Sequence, residues 1–222
     1  MTKILIDTIM LLLVLCAALA LCILTQTVTR PDTFQTTPNL NMTKDKRFVG
    51  KGWKKCTLSA YESYPTSAKE NNEFNGGKWV GCFAHLGARK LPEEWVKVHN
   101  IASVHSADFE RYKGKLLVVY DNASGRMLVA KVLDMCSDSD SPDCSKNKSH
   151  NGNDFLIDLE KYTTWRLLNK KLDVDSFGLR NGQFRVITED ELRRMNPGQL
   201  WAAFEGGNTR YDLSSAQSGC KD

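Results

Sequence analysis

The stretch VLDMCSDSDSPDCSKNKSHNGNDFLIDLEKYT, residues 132–163, decides how this chain is read. Two short apolar runs each end in an aspartate, Asp134 and Asp158, and both have the length and composition of strands. Between them Asp138, Asp140 and Asp143 crowd against Cys136 and Cys144. A calcium loop counted from Asp138 needs an oxygen ligand at its fifth position, a glycine at its sixth and a glutamate at its twelfth, but Pro142, Asp143 and Ser149 stand there. The cluster reads instead as a solvated loop closed by a Cys136–Cys144 bridge.

The pattern continues outward. CTLSAY, KWVGCFAHL, IASVH, KLLVVYD and RMLVAKVLDM are short runs rich in Val, Leu and Tyr, separated by turn residues such as NASG at 122–125, which predicts a hairpin. Strands spaced this way imply a barrel or sandwich. Helices interrupt them at LPEEWVKVHN and EKYTTWRLLNKK, whose apolar residues recur at helical spacing. Towards the end FRVI reads as a further strand, Thr188 and Glu191 form a capping box before ELRRM, and LWAAFEGG reads as a last short helix.

The N-terminus carries an unbroken apolar run from Ile9 to Leu24, close to the ~17 residues that a membrane helix needs. Ala18-Leu19-Ala20 also fits a signal-peptide cleavage site, but the further apolar residues beyond it favour an uncleaved anchor. Residues 28–52, rich in Thr, Asn, Pro and Lys, form a stalk that cannot bury a core. The rest is then extracytoplasmic, on a single-pass membrane protein or secreted if the run is cleaved. Sequons at Asn41, Asn122 and Asn147 agree with that address. In an oxidising compartment the cysteines are expected to pair as Cys56 with Cys82 and Cys136 with Cys144, leaving Cys220 free or bridging a dimer. A formal charge of +4, dispersed along the chain, argues against a nucleic-acid partner. The four histidines lack zinc spacing, and neither a nucleophile elbow nor a phosphate or dinucleotide loop is present, so no metal or cofactor is expected.

Asp134 and Asp158 remain. Two aspartates at strand ends in one barrel can converge, and glycoside chemistry uses paired carboxylates, one protonated and one charged. An aspartate before LEKY equally suits a helix cap.

At these residues the chain resembles the double-psi β-barrel superfamily of expansins, barwin, rare lipoprotein A and family 45 endoglucanases. VLDMC at 132–136, LIDLEKYT at 156–163 and CTLSAYES at 56–63 match its motifs in order, across roughly residues 53–168. The resemblance implies a six-stranded double-psi β-barrel, mainly β with flanking helices, behind the N-terminal transmembrane segment. It implies that Asp158 falls on the aspartate that is the general acid of the endoglucanases and that expansins need for wall loosening. The endoglucanases' second carboxylate has no aspartate counterpart near Tyr61, and Glu62, the nearby candidate, is turned by strand alternation to the opposite face. Hydrolysis, as a glycoside hydrolase or lytic enzyme, is therefore not favoured. Tyr61, Asp134 and Asp158 suit sugar contact, with Trp79 either a stacking platform or part of the core.

The resulting expectation is a membrane anchor or signal at 1–27, a stalk at 28–52, a barrel at 53–168 and a helix-containing C-terminal extension at 169–222. The expected function is an expansin-like barrel that binds or remodels cellulose, chitin or peptidoglycan. The alternative is a non-catalytic cell-surface or viral-envelope glycoprotein that binds a protein partner.

Overall fold

Six of the short apolar segments close into one barrel in the computed structural model, which describes residues 52–65, 79–87, 89–139, 141, 143–194 and 211–220. The strands are β1 (Lys54–Tyr61), β2 (Arg89–Lys90), β3 (Ile101–His105), β4 (Leu116–Asp121), β5 (Arg126–Cys136), β6 (Leu156–Glu160), β7 (Arg180–Ile187) and β8 (Gln217–Ser218). The barrel order is β1-β6-β3-β5-β4-β7, closed on itself, while β2 and β8 pair as a separate ribbon. β1 with β6 and β3 with β5 run parallel; the other four contacts are antiparallel. This is the closed six-stranded mixed barrel that the double-psi resemblance implies. Its sixth strand, β7, falls within the stretch assigned from sequence to a C-terminal extension, so the barrel does not end at residue 168.

The helices are α1 (Glu93–Val98), α2 (Ser106–Tyr112), α3 (Cys144–Lys148), α4 (Lys161–Leu168), α5 (Val174–Phe177) and α6 (Glu189–Arg194). The capping box holds as read: the Thr188 amide donates to Glu191 Oε2 at 2.9 Å and the Glu191 amide to Thr188 Oγ1 at 3.1 Å. The run around Val80–Leu86 is not a strand; it forms a turn and a 3-10 helix, Ala84–Leu86.

Alternation sends Cys56, Leu58, Ala102, Val104, Leu117, Val119, Leu128, Ala130, Val132, Ile157, Leu159 and Phe184 into the barrel. A second apolar layer lies outside it, where Phe83, Leu91, Trp95, Val96 and Tyr162 cover Ile101 and Leu133. The C-terminal segment helps to hold this layer. Trp95 Nε1 donates to the Asp212 carbonyl at 2.8 Å, and Tyr211 donates to the Asn100 carbonyl at 2.8 Å.

Among the described residues two bridges form, Cys136–Cys144 as expected and Cys82–Cys220. The expected Cys56–Cys82 pair is corrected: Cys56 shares the inward face of β1 with Leu58, and its thiol is buried and free. Cys220 is consumed within the chain, which removes the thiol expected to link a dimer. Among the described residues no helix is long and apolar enough to cross a membrane. The anchor expected at 1–27, all of the stalk but Gly52, the sequon at Asn41 and the helix expected at LWAAFEGG lie outside those residues.

The β4–β5 hairpin is locked by a buried carboxylate. Asp121, with no exposed surface, accepts from the Ala123 and Ser124 amides in the turn and from Arg180 of β7 at 3.2 and 2.8 Å. Burial pushes its carboxyl up, but these donors outweigh burial and hold it below the ordinary range. Asp121→Ala is expected to cost about 3 kcal/mol in urea unfolding, because Arg180 and two turn amides lose their acceptor together. A cost below about 1 kcal/mol would show that the network contributes little.

Candidate functional site

A single rung of side chains crosses four strands of the barrel. Ser59 of β1 pairs with Asp158 of β6, Asp158 with Ser103 of β3, and Ser103 with Asp134 of β5. Their neighbours Leu58, Ala60, Ile157, Leu159, Ala102 and Val104 belong to the barrel core. Alternation therefore turns the rung away from the barrel interior, where Asp134 and Asp158 are partly exposed and Ser59 and Ser103 are buried.

Asp134 reaches that side through a bulge. Val132 pairs with Ala102 and Asp134 with Ser103, so Leu133 is an extra residue in β5. Simple alternation would send Asp134 inward with Val132; the insertion puts Leu133 into the outer apolar layer and Asp134 onto the rung. One Asp134 oxygen accepts from the Ala84 amide at 3.1 Å, which ties the first turn of the 3-10 helix to the site.

Asp158 is half-buried and accepts from Ser59 Oγ at 2.8 Å. Burial of its carboxyl pushes the pKa up to about 7; the Ser59 hydrogen bond opposes the rise and the charge of Asp134 adds to it. Near neutrality the group thus exchanges a proton, as a general acid must.

Tyr61 lies two residues beyond Ser59 on the same face, opposite Glu160. Its hydroxyl is buried and faces Asp134 without a well-formed hydrogen bond. Burial first, then the charges of Asp134, Glu160 and Asp158, push its pKa well above the ordinary value, so it remains a neutral phenol. The phenol therefore sits as a neutral donor among these carboxylates, facing Asp134.

The competing helix-cap reading of Asp158 is resolved by Glu160. Glu160 caps α4, accepting from the Tyr162 amide at 2.6 Å and, on its other oxygen, from Ser63 Oγ at 2.9 Å. It is fully buried, and burial lifts its pKa to about 7 against these donors and against Arg166 and Lys161. Asp158 is left for the surface.

Glu62 is committed elsewhere. Its Oε1 pairs with Lys161 Nζ at 3.2 Å, both side chains being nearly buried, and Lys161 also donates to the Tyr64 carbonyl at 3.1 Å. Trp79 is 40% exposed on a turn fastened to the end of the β1 segment by the Gly81 amide, which donates to the Ser63 carbonyl at 3.0 Å. It is a surface aromatic rather than a core one. The structure thus brings Asp158, Asp134 and Tyr61 together, sets Trp79 on an adjoining turn, and assigns Glu62 to a structural pair. Ser59, Ser103 and Glu160 were not singled out from sequence; only register reveals the first two. Among the described residues no cluster of three or more His, Cys, Asp or Glu is arranged to hold a metal ion.

No protein-family model matches the chain, and no curated protein matches it. Solved structures do. The chain is similar to expansins of known structure. The apo form of the Clavibacter michiganensis expansin matches at 12% identity and a TM-score of 0.34, over 62% of this chain and 51% of that one. A mutant of that expansin in complex with cellohexaose matches at 10% identity and a TM-score of 0.32, over 61% and 50%. This chain therefore spans about half the length of each.

Proposed function

We propose that the outer rung of the barrel binds and remodels a polysaccharide, in the manner of an expansin and without efficient hydrolysis. The observation that carries the reading is the rung itself: a carboxyl with a pKa near 7, a hydroxyl donating to it, a second carboxylate and a buried phenol on one outward face. Protonated Asp158 donates a hydrogen bond to a glycosidic or hydroxyl oxygen, the charge of Asp134 favours that protonated form while Ser59 opposes it, and the partly exposed rings of Tyr61 and Trp79 offer faces for stacking. Hydrolysis requires in addition a base to activate water, and Glu62 is occupied by Lys161. Cellulose, chitin and peptidoglycan are the candidate polymers.

The direct test is retention of the full chain on each insoluble polymer, with sugar release assayed in parallel. Retention that disappears in Asp158→Asn and in Tyr61→Ala, without released sugar, supports the proposal. A folded protein retained by none of the polymers overturns it.

Ser59 tunes the acid. Its hydroxyl stabilises the charged form of Asp158, so Ser59→Ala is expected to raise the Asp158 pKa further. The alkaline limb of polymer action should move up by about one pH unit, or somewhat less where water replaces the hydroxyl. An unchanged or acid-shifted limb would show that Asp158 is not the titrating group.

A further inference from the structure

The end of the barrel at which β1 begins is closed by aromatic rings. Tyr112 meets Phe155 at 4.9 Å and Phe184 at 5.9 Å, both edge-on, while Phe155 and Phe184 stack at 4.3 Å. Three cations crown this stopper. The Lys54 ammonium lies 5.8 Å, the Arg111 guanidinium 5.5 Å and the Lys115 ammonium 5.7 Å from the centre of the Tyr112 ring. Lys54 also donates to the Tyr112 hydroxyl at 3.1 Å.

All three cations are exposed, and among the described residues none has a carboxylate at ion-pair distance. The acids of α2 are already used: Glu110 pairs with Lys113 at 2.7 Å and Asp108 with Lys148 at 2.7 Å. Lys54 meets the hydroxyl edge of the ring rather than its face, and for Arg111 and Lys115 the ring is a weak counter-charge at an exposed site. A cluster of exposed cations attracts anions. Arg111 offers a planar fork suited to a carboxylate, and the two lysines add mobile point charges beside it.

We propose that this crown is a subsite for the carboxylates of an acidic polysaccharide, a polyuronate. The site stands on its own geometry; the choice of a sugar polymer over another polyanion rests on the function proposed above. It is distinct from the Asp158 rung, since Lys54 and Ser59 are five residues apart on β1, about 17 Å along the strand. A chain bearing acid groups would be drawn to the crown, while the rung acts on its sugars or on those of a neutral neighbour.

The test compares the full wild-type chain with Lys54→Gln/Arg111→Gln/Lys115→Gln, using soluble polygalacturonate, single-stranded DNA as a competing polyanion, and retention on neutral cellulose. Because Lys54 touches Tyr112, Arg111→Gln/Lys115→Gln, which breaks no hydrogen bond of the fold, is run alongside it. The expected result is polyuronate binding that weakens with salt and falls about tenfold in the triple variant, with cellulose retention unchanged. Equal polyuronate binding by wild type and both variants overturns the subsite. DNA that competes as well as free polyuronate overturns the sugar assignment. Failure of the rung would show differently, as cellulose retention indifferent to Asp158→Asn while polyuronate binding persists.

Discussion

Asp158→Asn is expected to lower polymer remodelling by at least about 100-fold and, at pH 8, to make the protein more stable. The two effects have one cause. In the folded chain the Asp158 carboxyl is shifted from 3.8 to about 7, first by burial. Between these values the folded state holds a proton that the unfolded state has released, so this group lowers stability as pH rises from about 4 to about 7. Asparagine keeps an oxygen for the Ser59 hydroxyl and removes the buried charge. Because Asp158 is half-buried, the gain at pH 8 should be roughly 2 kcal/mol, less than the full shift would give. At pH 4 the variant and the wild type should be nearly equal. Glu160 has the same sign of shift and the same window, so some decline of stability with pH should persist in the variant. Urea unfolding at pH 4 and pH 8 measures the stability difference, and polymer extension or retention measures the function. A variant that keeps full polymer action would remove Asp158 from the mechanism; one less stable than wild type at pH 8 would show that the carboxylate is well solvated.

Much of this site can be reached from the sequence because its two aspartates close apolar runs that read as strands. LLVVYD and MLVAKVLD alternate around a turn and pair as β4 and β5, and the two runs ending in aspartate lie on strands joined through β3. What sequence could not supply was register. Reading β5 alone puts Asp134 on the inward face with Val132, and only its partner Ala102–Ser103 reveals the extra residue at Leu133. Glu160 escaped notice because glutamate is an uncommon cap, and its role depends on Ser63, far away in sequence. The α2 helix was missed because Phe109 and Tyr112 give it a single pair of buried apolar residues within a polar run. The crown joins Lys54 to α2 and its following loop, residues 58 apart, and no local pattern announces it. Cys56 was misassigned although alternation spoke against it: a cysteine two residues before an inward leucine is itself inward and out of reach of a surface turn.

That correction leads to the largest effect expected on stability. The Cys82–Cys220 bridge closes a span of 138 residues that contains five of the six barrel strands. In the chain-entropy model such a loop stabilises the fold by about 5 kcal/mol, against about 2.5 kcal/mol for the eight-residue Cys136–Cys144 loop. Cys220→Ser should therefore lower unfolding stability about twice as much as Cys144→Ser. It should also loosen the 211–220 segment, whose Tyr211 and Asp212 hold Asn100 and Trp95 from the outside. The rung is built on β1, β3, β5 and β6, so polymer binding in a folded Cys220→Ser sample should be retained even as the midpoint in urea falls. Peptide mapping without reduction should yield a fragment joining Cys82 to Cys220. A Cys56–Cys82 fragment, or chains linked through Cys220, would overturn this connectivity, and an equal cost for the two serine variants would show that loop length does not govern their stability.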